Sequence, residues 1–283
     1  MPALSNIAQQ LQQHLQALTG PRDPYLGSGR HDLSQQYIRA ELGQWGEVTA
    51  QRFVVQGREY CNWCSVTLGT QPKLAPLLVG AHYDTVPGSP GADDNASGVA
   101  VLLLLAELMS QQPPRRTIHW LAFDLEEYGL VGSTVCAQSW QSDGRALCLM
   151  LSLEMLGYFS SEPGSQRYPL DVLSRLYPDQ GDFIALIGNG STLTKMRHLK
   201  KYLKQAGAPC QWLPVLNQGR QIPATRRSDH APFWDAGYPA ILVTDTADLR
   251  NPHYHTASDR PQTLNVPIME KITKGLAAGL RRL

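Results

Sequence analysis

Residues 75–112 read APLLVGAHYDTVPGSPGADDNASGVAVLLLLAELMSQQ and decide the fold of this chain. The first ten form a near-continuous apolar run, which is typical of a central strand buried on both faces of a sheet. A glycine-rich loop follows, and the apolar run after Gly98 predicts a mostly buried helix that ends before Pro113 and Pro114. The stretch therefore indicates a strand, a loop and a helix, the unit from which α/β folds are built.

The same alternation continues along the chain. Patterns predict helices near the N-terminus, near Leu33, over 192–206 and after Pro267, and strands at 47–56, 60–69, 116–124, 146–156, 182–189, 210–216 and 239–245. Neither a linker nor an internal repeat divides the chain. We expect a single-domain three-layer α/β/α sandwich with a mostly parallel, mixed central sheet, which spans residues 1–283 and has N-terminal helices within residues 1–45 packed on it.

Composition narrows the classes of partner. The chain has 42% hydrophobic and 17% charged residues, with 25 Lys plus Arg against 24 Asp plus Glu and no run of like charges. Nucleic acid and membrane are therefore poor candidates, and a peptide or aminoacyl small molecule fits better. The N-terminus lacks the apolar core of a secretory signal, and the longest apolar run is too short to cross a membrane, so a cytoplasmic protein is expected. The oligomeric state stays open.

The cysteines do not suggest a disulfide framework. Their number is odd and they are scattered, at Cys61, Cys64, Cys136, Cys148 and Cys210. Cys61 and Cys64 form a CxxC pair, but its flanks resemble strands, on which residues three apart face opposite sides. We interpret both as buried thiols rather than as a zinc or redox site.

Polar side chains follow the central strands at the point where each strand ends. In an open α/β sheet, ligands bind beyond the carboxyl ends of the strands, so these groups should converge on one edge. They are His82 and Asp84, Glu126 and Glu127, Glu154, and, after the last strand, His253 and His255. Imidazole and carboxylate are zinc ligands, and two imidazoles with three carboxylates can hold two zinc ions if one carboxylate bridges them. Manganese or cobalt could replace zinc in such a site.

Six motifs in order resemble a known family. They are HYD at 82–84, GADDNASG at 91–98, EEYGLVGS at 126–133, SLEMLGY at 152–158, SDHAPFWDAGYPA at 228–240 and HYHTASD at 253–259. This set is similar to the di-zinc aminopeptidase family, which includes bacterial leucyl aminopeptidases, glutamate carboxypeptidases and glutaminyl cyclases. The resemblance implies a catalytic zinc-exopeptidase domain. HExxH is absent, so the helix-borne zinc site of other metalloproteases is not the pattern here.

The resemblance also implies roles for individual residues. Asp94 would bridge two zinc ions and precede a cis peptide bond, Asp84 would hold the imidazole of His82, and Glu126 would be the general base. The implied zinc ligands are His82, Asp94, Glu127, Glu154 and His255. His255 is preferred to His253 because the family places its ligand immediately before a threonine. Two zinc ions are expected; Glu154 departs from the family, which carries aspartate there, so a single ion is the alternative.

Other residues have a structural and a functional interpretation. Ser228, Asp229, His230 and Tyr254 are predicted to lie beside the metal centre or to form the substrate wall, although Ser228 or Asp229 could instead cap a helix. Arg226 and Arg227 either bind a substrate carboxylate or are solvated. Residues 158–182 are expected at a lid or pocket rim. His14, His31 and His198 are expected at the surface, and His119 in a strand.

The leading hypothesis is a metallo-aminopeptidase that hydrolyses the N-terminal peptide bond of its substrate. In the mechanism that the resemblance implies, a zinc-bound hydroxide attacks and Glu126 relays the proton. The first alternative is a glutaminyl cyclase-like acyltransferase. The second is a non-catalytic homologue that binds a metal or a peptide.

Overall fold

The computed structural model describes residues 5–26 and 29–283, so residues 1–4 of the predicted N-terminal helix lie outside the described residues. The helices are α1 (Asn6–Leu18), α2 (Arg30–Gly43), α3 (Gly98–Gln111), α4 (Val131–Ser142), α5 (Asp171–Ser174), α6 (Leu193–Gln205), α7 (His230–Asp235) and α8 (Val266–Leu280). The strands are β1 (Val48–Val55), β2 (Arg58–Thr67), β3 (Leu77–His82), β4 (Ile118–Phe123), β5 (Leu149–Glu154), β6 (Ile184–Asn189), β7 (Cys210–Val215) and β8 (Ala240–Thr244).

The strands form one mixed sheet in the order β1-β2-β4-β3-β5-β8-β6-β7. The four central strands β4, β3, β5 and β8 are parallel to one another, so their carboxyl ends share one edge. Strand β6 is antiparallel to β8, and β7 is parallel to β6, so these two bring their amino ends to that same edge. The predicted three-layer sandwich with a mixed sheet is confirmed.

Side-chain alternation along the strands builds a core on each face of the sheet. Leu77, Val79 and Ala81 of β3 join the core that α1, α3, α6 and α8 cover, whereas Leu78 joins the core under α4 and α7. This explains the continuous apolar run, because both faces of β3 are buried. Gly80 is required here, since a Cβ atom at this position would lie 2.3 Å from the Phe123 ring.

The cysteine interpretation agrees with the structure. All five cysteines lie in the described part of the chain and are free thiols. Cys61 packs in the core beneath the N-terminal helices, whereas Cys64 packs on the opposite face, against the core that contains Trp140. The pair therefore cannot bind one ion. Among the described residues, no helix has both the length and the apolar character needed to span a membrane.

Two histidines expected at the surface are buried. His14 and His31 are each 7% exposed, because α1 and α2 turn them inward. His14 Nδ1 lies 2.8 Å from the Tyr37 hydroxyl, and His31 Nε2 donates to Asp124 at 2.8 Å. The expectation for both was wrong, because the partners that satisfy the two rings lie 23 and 93 residues away in the chain. His119 lies in β4 as predicted, against Trp140.

Burial of His14 predicts an acid-sensitive contribution to stability. Burial lowers its pKa from 6.5 to about 4, so the folded protein keeps this imidazole neutral where the unfolded chain binds a proton. Its contribution is complete above pH 6.5 and is lost as pH falls towards 4, on the order of 3 kcal/mol in the free energy of unfolding. We expect His14→Gln, measured by urea denaturation at pH 7 and 4.5, to lose less stability in acid than the parent protein. Equal losses would contradict this.

Candidate active site

The loop between β3 and α3 carries Asp94 in a tightly held turn. The Asp94–Asn95 peptide bond is cis, as the family resemblance implies. The Asp259 carboxylate accepts hydrogen bonds from the backbone N–H groups of Asp93 and Asp94, at 2.8 and 3.1 Å. The Asn95 side chain donates to the Leu153 carbonyl at 2.9 Å. The loop is thereby tied both to the end of β5 and to the loop after β8.

The Asp94 carboxylate lies between two histidines. Oδ1 is 3.2 Å from His82 Nε2, and Oδ2 is 3.1 Å from His255 Nε2. Each imidazole also faces a second carboxylate, since His82 Nε2 is 3.4 Å from Glu154 Oε1 and His255 Nε2 is 3.2 Å from Glu127 Oε2. The ligand atoms within each group of three, His82–Asp94–Glu154 and Asp94–Glu127–His255, lie within 4.8 Å of one another. One carboxylate is therefore common to two candidate cation positions.

Asp84 connects His82 to the loop after β4. Its two carboxylate oxygens accept the backbone N–H groups of Glu126 and Glu127, at 3.1 and 3.2 Å. Oδ1 also lies 3.3 Å from His82 Nδ1. Glu126 offers its carboxylate to the group that also contains His82 and Glu127, whose ligand atoms lie within 4.8 Å of one another. Because Asp84 holds both backbone groups, the adjacent glutamates project from a defined position.

The pKa values in this cluster indicate an excess of buried negative charge, which a bound cation would balance. Burial and then the Asp94 carboxylate raise the pKa of Glu127 to about 7. Burial opposes charge on His255, but Asp94 and Glu127 outweigh it and raise its pKa to about 10. Burial, together with the charges of Glu154 and Glu127, raises the pKa of Glu126 well above its ordinary value. Glu127 Oε1 is also buried without a hydrogen-bond partner.

The residues fit two divalent cations. Imidazole nitrogen and carboxylate oxygen are the donor types that zinc takes, and here they converge in two groups of three that share Asp94. Two cations would relieve the repulsion among the carboxylates and would fill the open lone pairs of Glu127. Glu154 reaches this cluster despite its extra methylene.

The residues of the SDH motif point in different directions. The Ser228 hydroxyl donates to Glu154 Oε2 at 2.7 Å and so fixes that carboxylate. Asp229 is fully buried, and burial raises its pKa to about 7. His230 Nε2 donates to the Thr225 carbonyl at 2.8 Å, away from the metal ligands. The alternative of a side-chain helix cap was wrong, because neither Ser228 nor Asp229 caps α7.

A largely apolar pocket opens beside Glu154. Its walls come from β6, β7 and the 158–182 segment, which contributes the predicted rim, and they include Tyr168, Tyr177, Phe183 and Trp212. Ser228 and Tyr254 also line it, whereas Asp229 and His230 are not among its described lining residues. The Tyr254 ring stacks on His255 with ring centroids 3.7 Å apart.

The two arginines before this motif already have partners. Arg227 pairs with Asp248 at 2.8 Å and donates to the Tyr254 hydroxyl at 2.9 Å, at the mouth of the pocket. Arg226 pairs with Asp235, outside that pocket. His253 Nδ1 lies 2.8 Å from the Ser258 hydroxyl, so its ring is engaged away from the imidazole–carboxylate cluster.

Sequence reasoning missed several residues that hold the site. Asp259 lies in the HYHTASD motif, yet its carboxylate contacts the backbone of Asp94, which is 165 residues away in the chain. Asn95 was likewise given no structural role, and His31 was expected at the surface. The only signal for Asp259 was its place four residues after a candidate ligand, which does not indicate what its carboxylate accepts.

The chain is similar to known proteins both in sequence and in fold. The model of peptidase family M28 matches residues 65–279. The protein YfbL of Escherichia coli (strain K12) is 37% identical over 287 residues, covering 95% of this chain and 86% of that protein. The probable lipoprotein aminopeptidase LpqL of Mycobacterium tuberculosis is 31% identical over 181 residues, but the match covers 62% of this chain and only 32% of LpqL. In fold, the chain resembles the glutaminyl cyclase of Macrostomum lignano, with a TM-score of 0.72 at 20% identity over 96% of this chain and 88% of that chain.

Proposed function

Because the chain belongs to peptidase family M28, we propose that it is a metal-dependent aminopeptidase, a hydrolase that removes the N-terminal residue of a peptide. The observation that carries this proposal is the Asp94 carboxylate, whose oxygens lie 3.2 and 3.1 Å from the Nε2 atoms of His82 and His255. A carboxylate shared in this way suits a pair of cations rather than a single ion.

We assign the cation ligands by these contacts. His82, Asp94 and Glu154 would hold one zinc ion, and Asp94, Glu127 and His255 would hold the other. When bound, zinc polarises a carbonyl oxygen and lowers the pKa of a water molecule to about 7. Asp84 orients His82 from behind, as carboxylates commonly do for metal-bound imidazoles.

Glu126 moves the proton. Its carboxylate lies with His82 and Glu127 but is in neither group that Asp94 shares, so it is free to accept a proton from the attacking water. The same carboxyl group then donates that proton to the leaving amine as the peptide bond breaks. Glu126 thereby returns to the carboxylate form in which it began. Its backbone N–H is fixed by Asp84, so the proton carrier stands in one place during both transfers.

The pocket beside Glu154 supplies the substrate side of the proposal. A side chain on the acyl side of the scissile bond would enter between Tyr254, Trp212 and the rim segment 158–182. The apolar and aromatic walls favour a bulky apolar residue at the N-terminus of the substrate.

Removal and return of metal tests the activity. We expect hydrolysis of leucyl-p-nitroanilide, complete loss of hydrolysis after chelation, and recovery on addition of zinc, because the attacking water and the scissile carbonyl would be activated only when zinc is bound. The measurement is the rate of p-nitroaniline release.

The N-acetylated anilide is the matched control, and an aminopeptidase should leave it intact. Release of pyroglutamate from glutaminyl peptides without cleavage of leucyl substrates would instead establish the cyclase alternative. Tight peptide binding without any turnover across a broad panel would leave the non-catalytic alternative.

A further inference from the structure

We propose that three residues near the N-terminus, Arg22, Asp23 and His31, act together as positioning residues for the second cation site, the group Asp94–Glu127–His255. We name these three residues the N-terminal brace. The inference rests on the proposed two-cation centre. The brace lies outside the family match, which covers residues 65–279, so it is a feature of the remaining part of the chain.

Arg22 holds the loop that leads to Asp94. The side chain is 1% exposed, and its guanidinium donates only to backbone carbonyls. It binds Tyr83 O at 2.8 Å, immediately after β3, and Pro90 O and Gly91 O at 3.0 and 2.8 Å, just before the turn of Asp94. One side chain therefore ties together both ends of the 83–91 loop, and the loop cannot drift without breaking several of these bonds.

Asp23 holds the neighbouring loop, which carries Glu127. It too is 1% exposed. One carboxylate oxygen accepts the backbone N–H groups of Tyr25 and Leu26, at 2.8 and 2.7 Å, and the other accepts the hydroxyl of Tyr128. Tyr128 immediately follows Glu127. Since Arg22 and Asp23 are adjacent in the chain, the two loops are linked through a single peptide unit.

His31 holds the start of the same loop. Its Nε2 donates to Asp124 Oδ1 at 2.8 Å, and the Tyr83 hydroxyl donates to Asp124 Oδ2 at 2.7 Å. Asp124 Oδ1 in turn accepts the N–H of Leu125 at 3.0 Å, one residue before Glu126. The Gln35 amide nitrogen lies 3.1 Å from Nδ1, so both ring nitrogens of His31 have a partner.

The two cation sites depend differently on these contacts. His82 and Glu154 are the last residues of β3 and β5, which pair directly in the sheet, so the sheet itself sets their separation. Glu127 and Asp94 come from two separate loops, and the brace spans both. Loosening the brace should therefore weaken the Asp94–Glu127–His255 site, which takes two ligands from these loops, more than the His82–Asp94–Glu154 site, which takes only Asp94 from them.

The test measures zinc binding to the full chain. Tyr128→Phe removes only the hydroxyl that Asp23 accepts, His31→Leu removes the donor to Asp124, and His31→Gln retains an N–H donor. Tyr37→Phe is the matched hydroxyl control, since its partner is His14.

Arg22→Met is matched by Arg116→Met, because Arg116 donates to the Ala75 and Leu283 carbonyls at the other end of the sheet. Stoichiometry and affinity come from calorimetric titration of metal-free protein, alongside melting temperature, kcat and KM.

We expect Tyr128→Phe and His31→Leu, which act on the Glu127 loop, to bind the first zinc equivalent normally and the second ~10-fold or more weakly, as for other losses of a residue that orients a ligand. Arg22→Met loosens the loop of the shared ligand Asp94, so it should weaken both equivalents, and the second one more. His31→Gln and both controls should resemble the parent protein. Two equivalents bound with parental affinity by every variant would overturn the brace alone. Equal weakening of both equivalents, matched by the controls, would also overturn it. A parent protein that binds fewer than two ions would overturn both the brace and the two-cation centre.

Discussion

Glu126→Gln is expected to lower turnover about 10²- to 10⁴-fold while leaving both zinc equivalents in place. Glutamine keeps the size of the side chain and the backbone N–H that Asp84 accepts, but it cannot take up the proton of the attacking water. Glu127→Gln is the matched control one residue away. Its carboxylate faces His255 at 3.2 Å, so this control should lose metal affinity as well as activity.

Metal analysis by mass spectrometry and kcat for leucyl-p-nitroanilide separate the two glutamates. The assignment requires full zinc content without turnover in Glu126→Gln. A Glu126→Gln protein that keeps parental turnover, or that loses zinc to the same degree as Glu127→Gln, would reverse the roles given to the two residues.

Asp94→Ala is expected to abolish tight binding of both zinc equivalents. Its carboxylate is the only ligand common to both groups, and each oxygen faces a different imidazole. The substitution leaves the backbone N–H of residue 94 free to donate to Asp259, so the loop retains that contact. Removal of a direct ligand from each site should cost each of them more than the ~10- to 100-fold that loss of an orienting neighbour costs.

His255→Ala is the comparison for this variant, because His255 belongs to only one of the two groups. It should retain one tightly bound equivalent, whereas Asp94→Ala should retain none. Calorimetric titration of the two metal-free variants gives both numbers. Two tight equivalents in Asp94→Ala would show that the carboxylate does not bridge.

The fold was predictable to a large extent because the decisive signals are local. The apolar run before His82 has the length and the flanking turn residues of a buried strand, whereas the longer run after Gly98 suits a buried helix, and β3 and α3 form where these runs lie. The direction of β6 was not predictable. It is antiparallel to β8, and this brings Phe183 and Trp212 beside the site through the amino ends of β6 and β7 rather than through carboxyl ends.

Three of the candidate ligands were predictable for a related reason, since His82, Glu127 and Glu154 lie at or just after the ends of central strands, and parallel strands deliver such positions to one edge. Asp94, and the choice of His255 over His253, came from the resemblance to the family. The residues that hold the ligands in place were not predictable, since Asp259, Arg22 and His31 make their contacts across 60 to 166 residues of sequence in most cases and carry no periodic pattern. His31 was expected at the surface, and only the packing of α2 against Asp124 and Tyr83 shows otherwise.

By itself, the sequence determined the order of strands and helices, the edge at which the polar groups meet, and the chemical types of those groups, because all three follow from local periodicity and from residue identity. Tertiary structure decided how closely Asp94 approaches the two histidines, how far apart Glu127 and Asp94 stand, and which buried side chains hold their loops. These are distances between segments far apart in the chain. They are set by packing and by hydrogen bonds that form only once the sheet has brought the segments together.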